Sequence, residues 1–575
     1  MPCTVLVAAQ TPSRPPLLSH SFDTSGAVDF RLVRVPPNRN PPSPRPIHSW
    51  DERAVPRFFG VGRGPIAEYE EPLEPNVPDP SPPPPPELIG HIPQVESTIG
   101  YWEAASGIGN DEGVMIAEST CSAVFGAKLR GSAGGKALLG YMELTRIALE
   151  RCASAYDAIC LMGSLAMEYG FAGNTCDLAG SAESLTVVDG KEAWVMHILP
   201  DDTGESAIWA AQRLEEGHAA VVPNLFVIRR IDTDADGFLL SSNAKEIATR
   251  CLGWSGGDFD FAAIFSKGEP GQKYYCGRRQ WRALSLFAPS LQLEPEYTDA
   301  INDAPYPFSV LPDEPLTRHD FCRIMRDTYE GTVYSLGADQ PAAGPFGWTD
   351  RYDSFAYPKR GGGEDGSVEE VIPLFERPIG VHRMPYSYIC EPSDEPSKRP
   401  PLFHFGAHNS LTSVYLPVLC ASNTCPPSLS TGSMKALDRA CAYWTFRIVK
   451  HTAKGLVWNR CLEFLRERQQ RWEAEVDAVI DQSVRAGDEL EATSMALSRL
   501  AEDVLTDWYG LQDEMLLRFG DGWEYDWASD GPVHPPEAEE GKETAGESKC
   551  KPVRYPVEWL EKVSAWRPVE PTGGA

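Results

Sequence analysis

The chain has 575 residues, with 52 Lys and Arg against 82 Asp and Glu and a net charge of −30 at neutral pH. Phosphate recognition needs a basic footprint, and no dense Lys/Arg run is present, so nucleic acid is excluded as the main partner. Hydrophobic residues at 42% supply a large core, which excludes wholesale disorder, and no stretch approaches the ~20 apolar residues of a membrane helix.

Met1-Pro2-Cys3-Thr4-Val5-Leu6-Val7-Ala8-Ala9 has no basic region and too short an apolar run for a signal peptide. The 14 cysteines form no C-x-x-C pair, and no N-x-[ST] acceptor occurs, so a reducing, cytoplasmic setting is expected. Pro36 to Pro46 and Pro75 to Pro86, the latter ending in five consecutive prolines, read as extended surface excursions on either side of Phe58-Phe59-Gly60-Val61-Gly62. From Gly140 to Gly170 apolar residues recur at spacings of three and four, which predicts two helices broken near Cys152–Ser154 or one bent helix. Leu185-Thr186-Val187-Val188-Asp189-Gly190 predicts a strand and turn, and Ala193 to Leu199 the next strand. Ser206 to Ala211 and Ala219 to Val222 continue the same antiparallel rhythm. Helix returns from Cys461 to Trp508, with Leu462, Leu465, Trp472, Val476 and Ile480 on one face. Glu537 to Lys551 reads as solvated, and Trp559 and Trp566 suggest that the tail docks back.

Three apparent motifs fail on their chemistry. Asp232-Thr233-Asp234-Ala235-Asp236-Gly237 opens like a calcium loop, but Asn243 stands where a bidentate Glu is needed, so an exposed acidic turn is expected. Gly131-Ser132-Ala133-Gly134-Gly135-Lys136 looks like a phosphate loop, but Ala137 replaces the magnesium-holding hydroxyl, leaving a flexible loop. His404 and His408 have i, i+4 spacing without a third ligand, and a structural pair is expected. No required metal and no cofactor are expected.

Cys3 carries the chemistry if residues 1 and 2 are removed. A freed α-amine has a pKa of about 7.7–8.0 and serves as general base to its own thiol, as N-terminal Thr does in its hydrolases. A buried, inert cysteine at a strand start is the competing reading. Cys3-Thr4-Val5-Leu6-Val7, Leu18-Ser19-His20-Ser21-Phe22-Asp23 and Arg31 to Pro36 resemble the start of the dipeptidase A (PepD-like) cysteine peptidases. These are N-terminal-nucleophile (Ntn) hydrolases related to the secernins. The resemblance continues through Gly107 to Val114, Glu118-Ser119-Thr120, Glu143-Leu144-Thr145-Arg146-Ile147-Ala148-Leu149-Glu150-Arg151 and Glu168-Tyr169-Gly170-Phe171. Trp209 to Arg213, Val222-Pro223-Asn224, Arg326 to Thr332, Arg377-Pro378-Ile379-Gly380 and Ala442-Tyr443-Trp444 carry it to about residue 450.

The resemblance implies an α+β fold, the αββα sandwich of the Ntn type, over residues 1–455 with Pro-rich insertions. A helical extension over 456–520 and an acidic Pro-rich tail over 521–575 follow. It implies Cys3 as nucleophile, Asp23 as the residue orienting the terminal amine, and Asn224 as oxyanion donor, against an Asn that satisfies a turn after Pro223. Ser119 and Thr120 would line the substrate site or cap a turn. His20 stands where many relatives have Arg; it can donate a hydrogen bond, with a charge conditional near pH ~6.5, or be an ordinary strand-end histidine. Pro2 and the Pro-rich stretches also depart from the family pattern. The expected function is hydrolysis of short peptides through a thioester acyl-enzyme, with no nucleic-acid or membrane partner and with homo-oligomerisation open. A catalytically silent, secernin-like interaction protein and an amidase for a non-peptide amide are the alternatives.

Overall fold

The computed structural model describes residues 3–23, 28–48, 87–173, 181–268, 273–295, 306–338, 342–351, 376–434, 436–527 and 550–564. The proline run 75–86, the Phe58–Gly62 stretch, most of the solvated segment 537–551, and Trp566 lie outside the described residues.

Two antiparallel sheets organise the described chain. The six-stranded sheet runs, in spatial order, Ala219–Val222, Thr4–Ala8, Leu17–Phe22, Tyr386–Glu391, Leu402–Ala407 and Leu416–Leu419. The eight-stranded sheet runs Phe238–Leu240, Ala207–Arg213, Ala193–Pro200, Ala182–Val188, Met115–Cys121, Gly107–Asn110, Tyr101–Glu103 and Val33–Val35. Thr4–Ala8 consists of three β-branched residues with Leu6 and Ala8, and it is buried throughout, as a strand with both faces covered should be. Its alternation divides two cores. Val5 and Val7 share one with Trp102, Met115, Ala117, Val188 and Val195 of the eight-stranded sheet. Leu6 and Ala8 pack instead with Ala283, Leu284 and Phe287 of helix Arg278–Phe287 and with Phe321, Ile324 and Met325 of helix Arg318–Met325. On the eight-stranded sheet, Ile116, Leu185, Val187 and Met196 pack with Leu144, Ile147, Ile159 and Met162.

Those last four belong to two helices, Tyr141–Arg151 and Ala155–Tyr169, so the Gly140–Gly170 pattern resolves into two rather than one bent helix. Ser154 caps the second by accepting the Asp157 N–H, and Asn110 Nδ2 donates to the Cys152 carbonyl at 2.8 Å, which satisfies the break. The polar residues of the Glu143–Arg151 motif form a buried ion network. Arg146 meets Glu103 at 2.6 Å and Glu143 at 3.1 Å, and Arg45 meets Glu143 at 2.7 Å and Glu150 at 2.9 Å. Removing either guanidinium would leave carboxylates buried without their counter-charge, so this motif serves the fold.

Ala219–Val222 is an antiparallel strand, as expected. Ala219–Val222 leaves the eight-stranded sheet after Ala207–Arg213 and pairs with Thr4–Ala8 in the other. Alternation along a strand is the same in either sheet, so it could not reveal the exchange.

The predicted C-terminal helix is two, Trp458–Ala486 and Leu490–Arg518, separated at Gly487, whose φ of 68° is the left-handed conformation that favours glycine. Leu465, Val476, Ile480, Leu497, Val504 and Trp508 share the core that contains Val5 and Phe405. Arg326 pairs with Glu473, and Arg318 with Asp477 at 2.7 Å, which ties the first of these helices to helix Arg318–Met325. Beyond Gly520, Trp523–Tyr525 pairs with Cys550–Pro552, and Tyr555 stands between Phe346 and Trp559 with ring centroids 5.7 and 4.9 Å away.

The rejected motifs have ordinary surroundings. Gly135 belongs to a tight turn in which an added Cβ would lie 1.8 Å from the Leu129 carbonyl oxygen. His404 and His408 do not pair with each other. His404 meets Glu391 at 2.6 Å across the Tyr386–Glu391/Leu402–Ala407 ladder, whereas His408 stands past the strand end, edge-on to Tyr443.

Candidate active site

Antiparallel order explains why distant residues meet. Thr4–Ala8 begins at the sheet end where Leu17–Phe22 finishes, since Thr4 faces Ser21. Ala219–Val222 finishes at the same end, since Val5 faces Val222. Cys3, Asp23 and Asn224 each lie one or two residues beyond these strand ends, and all three are buried. Strand Met115–Cys121 of the other sheet supplies Glu118, Ser119 and Thr120.

Cys3 Sγ donates to Glu118 Oε1 at 3.0 Å, and His20 Nε2 lies 3.3 Å from the same oxygen. All three side chains are fully buried. Burial, followed by the charges of Glu118 and Asp23, pushes the Cys3 thiol well above its ordinary value. Burial also pushes Glu118 upward, but the hydrogen bond and charge of His20, with the terminal ammonium and the Cys3 hydrogen bond, outweigh it and leave the carboxyl below its usual value. The resting thiol is therefore protonated beside a carboxylate.

Two arginines brace the other side. Arg279 donates to the Cys3 carbonyl and the Thr4 hydroxyl, both at 2.8 Å, to the Pro223 carbonyl at 3.0 Å and to Asn224 Oδ1 at 2.9 Å. Arg377 donates to the same Asn224 oxygen at 3.1 Å and pairs with Asp23. Burial, then the neighbouring Arg377, lowers Arg279 to about 10. Burial lowers Arg377 too, but Asp23 together with Tyr275, Cys3 and Cys276 outweighs it and the net shift is upward. Burial raises Asp23 despite both guanidinium groups, and Asp23 Oδ1 has no hydrogen-bond partner among the described residues.

Asn224 has a φ of 62°, unusual for a non-glycine residue. Ser119 Oγ accepts its N–H at 3.0 Å, its Nδ2 donates to the Thr120 carbonyl at 2.7 Å, and its Oδ1 takes the two arginines. That pattern fixes which end of the amide is the donor. Ser119 is thus engaged with Asn224, and the Thr120 hydroxyl donates to Glu183 at 3.2 Å. Of the six candidate site residues, Cys3, His20, Asp23, Asn224, Ser119 and Thr120, all are gathered at this sheet end. Glu118 and Arg377 stood within the recognised segments without an assigned role, and Arg279 carried no signal; its reach depends on helix Arg278–Phe287 packing over the sheet.

His197 holds the chain just after Asn224. Its Nε2 accepts the Val227 and Ile228 N–H groups at 2.8 and 3.2 Å, and burial alone lowers its pKa to about 3. A neutral ring is required to accept, so the unfolded chain binds the extra proton between pH ~6.5 and about 3. The His197 contribution is present above pH ~6.5 and is lost as pH falls towards about 3, a loss on the order of several kcal/mol. Thermal unfolding followed across that window should show a shallower acid slope in His197→Gln, which keeps an acceptor but does not titrate. An unchanged slope would remove His197 as the cause.

The chain belongs to peptidase family C69, whose family model matches residues 81–470. The matched span contains Glu118, Asn224, Arg279 and Arg377 and begins after Cys3, His20 and Asp23. A protein named "Probable dipeptidase" from Latilactobacillus sakei is 26% identical over 183 residues, which are 32% of this chain and 35% of that protein. The match therefore spans about a third of the relative's length. Among solved structures, penicillin V acylase from Agrobacterium tumefaciens aligns over 73% of this chain and 88% of its own at 10% identity and a TM-score of 0.28. A score that low decides nothing about the fold. No described helix is long and apolar enough to cross a membrane.

Proposed function

We propose that this chain is a cysteine-dependent dipeptidase, built on the αββα sandwich of the Ntn hydrolases, that attacks with Cys3 once Cys3 is the terminal residue. Membership of peptidase family C69 and the likeness to a relative named as a dipeptidase support the reaction class. The observation that carries the reading is the convergence at Cys3: Arg279 bonds both its carbonyl and Asn224, while Arg377 bonds Asn224 and pairs with Asp23. The helices over both sheets and the core shared between the sheets support the sandwich.

In this reading, the α-amine takes the Cys3 thiol proton as sulfur attacks the peptide carbonyl. Asp23 Oδ1 accepts a hydrogen bond from the resulting ammonium. Asn224 Nδ2 and backbone N–H groups stabilise the tetrahedral oxyanion, the departing amine takes the proton from the ammonium, and water hydrolyses the thioester. Glu118, whose carboxyl His20 helps keep ionised, aims the thiol. Arg279 and Arg377 hold Asn224 Oδ1 and so fix the orientation of its amide, whose Nδ2 also donates to the Thr120 carbonyl.

Asn224→Ala should lower kcat on dipeptides by about 10²–10³, the usual cost of one oxyanion donor, with a smaller change in KM. Steady-state kinetics on a panel of dipeptides, longer peptides and simple non-peptide amides tests this and the substrate class together. An undiminished kcat would remove Asn224 from the oxyanion site, and turnover of the non-peptide amides alone would replace dipeptidase with amidase. One observation favours a catalytically silent protein: the thiol is fully buried and its pKa is raised. Inactivity across the panel, in a chain shown by mass to begin at Cys3, would decide for that reading.

A further inference from the structure

The Cys3, His20 and Glu118 side chains offer a soft sulfur, an imidazole nitrogen and a carboxylate oxygen, all within 4.8 Å of one another. Sγ and Nε2 stand 3.0 and 3.3 Å from the same carboxylate oxygen. Zinc bonds of about 2.0–2.3 Å at tetrahedral angles place neighbouring ligand atoms roughly 3.3–3.7 Å apart, so small side-chain movements suffice. A second observation points the same way. Glu118 Oε2 is buried with no hydrogen-bond partner among the described residues, which leaves that carboxylate with unused acceptor capacity.

We propose that Zn²⁺ binds reversibly to Cys3 Sγ, His20 Nε2 and the Glu118 carboxylate and, by occupying the nucleophile, holds the enzyme off. The mixed S/N/O donor set suits zinc, whereas magnesium and calcium prefer oxygen alone. Binding breaks the Sγ–H and His20 Nε2–H bonds, releases the protons to solvent, leaves a neutral ring with its hydrogen on Nδ1, and forms Zn–S and Zn–N bonds. The thiolate and carboxylate charges then cancel the +2 of the ion, so the buried site ends neutral. Three protein ligands leave a fourth position for water or, in a chain beginning at Cys3, for the α-amine, which would close a five-membered chelate with Sγ. The lone pair needed for attack is committed to the metal, and this inhibitory role rests on the peptidase reading. The binding itself does not.

The test titrates the full-length, metal-free protein with ZnCl₂ by calorimetry, and with CoCl₂ by absorption, since a cobalt–thiolate bond gives a near-ultraviolet charge-transfer band. One zinc per chain and a thiolate band are expected. Cys3→Ser should lose the band, and Cys3→Ser, His20→Gln and Glu118→Gln should each weaken zinc by at least about tenfold, because even outer-shell losses cost that much. Circular dichroism checks that each variant is folded. No saturable zinc, cobalt bound without the band, or full affinity in folded Cys3→Ser would overturn the site. If the metal-free enzyme turns over dipeptides, stoichiometric zinc should abolish turnover and a chelator restore it; undiminished turnover with zinc bound would overturn the inhibition. Inactivity of the metal-free protein, in a chain shown by mass to begin at Cys3, would defeat the peptidase reading and leave the binding result to stand on the cobalt band.

Discussion

Cys3→Ala is expected to lower dipeptide hydrolysis by a factor on the order of 10⁴–10⁶, the scale at which loss of a nucleophile leaves only binding and oxyanion stabilisation. The change removes one sulfur atom from a buried position, so the fold should lose only about 1 kcal/mol. Thr4 to Ala8 would keep their pairing with Leu17–Phe22 and Ala219–Val222, because those ladders begin after residue 3. Cys3→Ser should retain at most a weak remnant, since a hydroxyl holds its proton more tightly than a thiol in the same buried setting. The measurement is kcat/KM beside the denaturant midpoint for each variant. Wild-type kcat in a folded Cys3→Ala protein would move the chemistry to another residue.

A chain engineered to begin at Cys3 should outpace one retaining Met1 and Pro2 by about 10²–10⁴, the usual contribution of a positioned general base. An amide nitrogen has delocalised its lone pair into the carbonyl and takes no proton near neutral pH, so the nitrogen of Cys3 becomes a base only when its bond to Pro2 is broken. Removal of Met1 alone leaves Pro-Cys and therefore no such base. The surroundings sharpen the expectation. Glu118 already accepts from the thiol, but its pKa lies below the usual carboxyl value, so it is a poor final resting place for a proton from a thiol raised well above its own. The base must be something more basic than Glu118, and a terminal amine meets that requirement. Intact mass and single-turnover rates on both forms check the result. Equal rates with Pro2 attached would refute the terminal-amine mechanism.

Several features were legible in the sequence because they are local. The three-and-four spacing between Leu144 and Met162 marks helix, whose break into two the structure decided, and the β-forming run after Cys3 marks a strand. Cys3 stood out through its position, and Asp23 and Asn224 through segments resembling a known family. The site itself was not local. Cys3 and Glu118 are 115 residues apart, and Cys3 and Arg279 are 276 apart. Only antiparallel pairing, which aligns one strand's start with its neighbours' ends, brings such positions together. The same holds for Ala219–Val222, whose alternation fits either sheet and whose transfer to the sheet of Cys3 is what carries Asn224 to the site. Sequence by itself determined the helix and strand periodicities, the acidic surface and the identity of the one thiol beside a terminus. Tertiary structure alone decided that Glu118 and His20 face that thiol and that two buried arginines fix Asn224, because those contacts arise from packing between elements and leave no periodic trace along the chain.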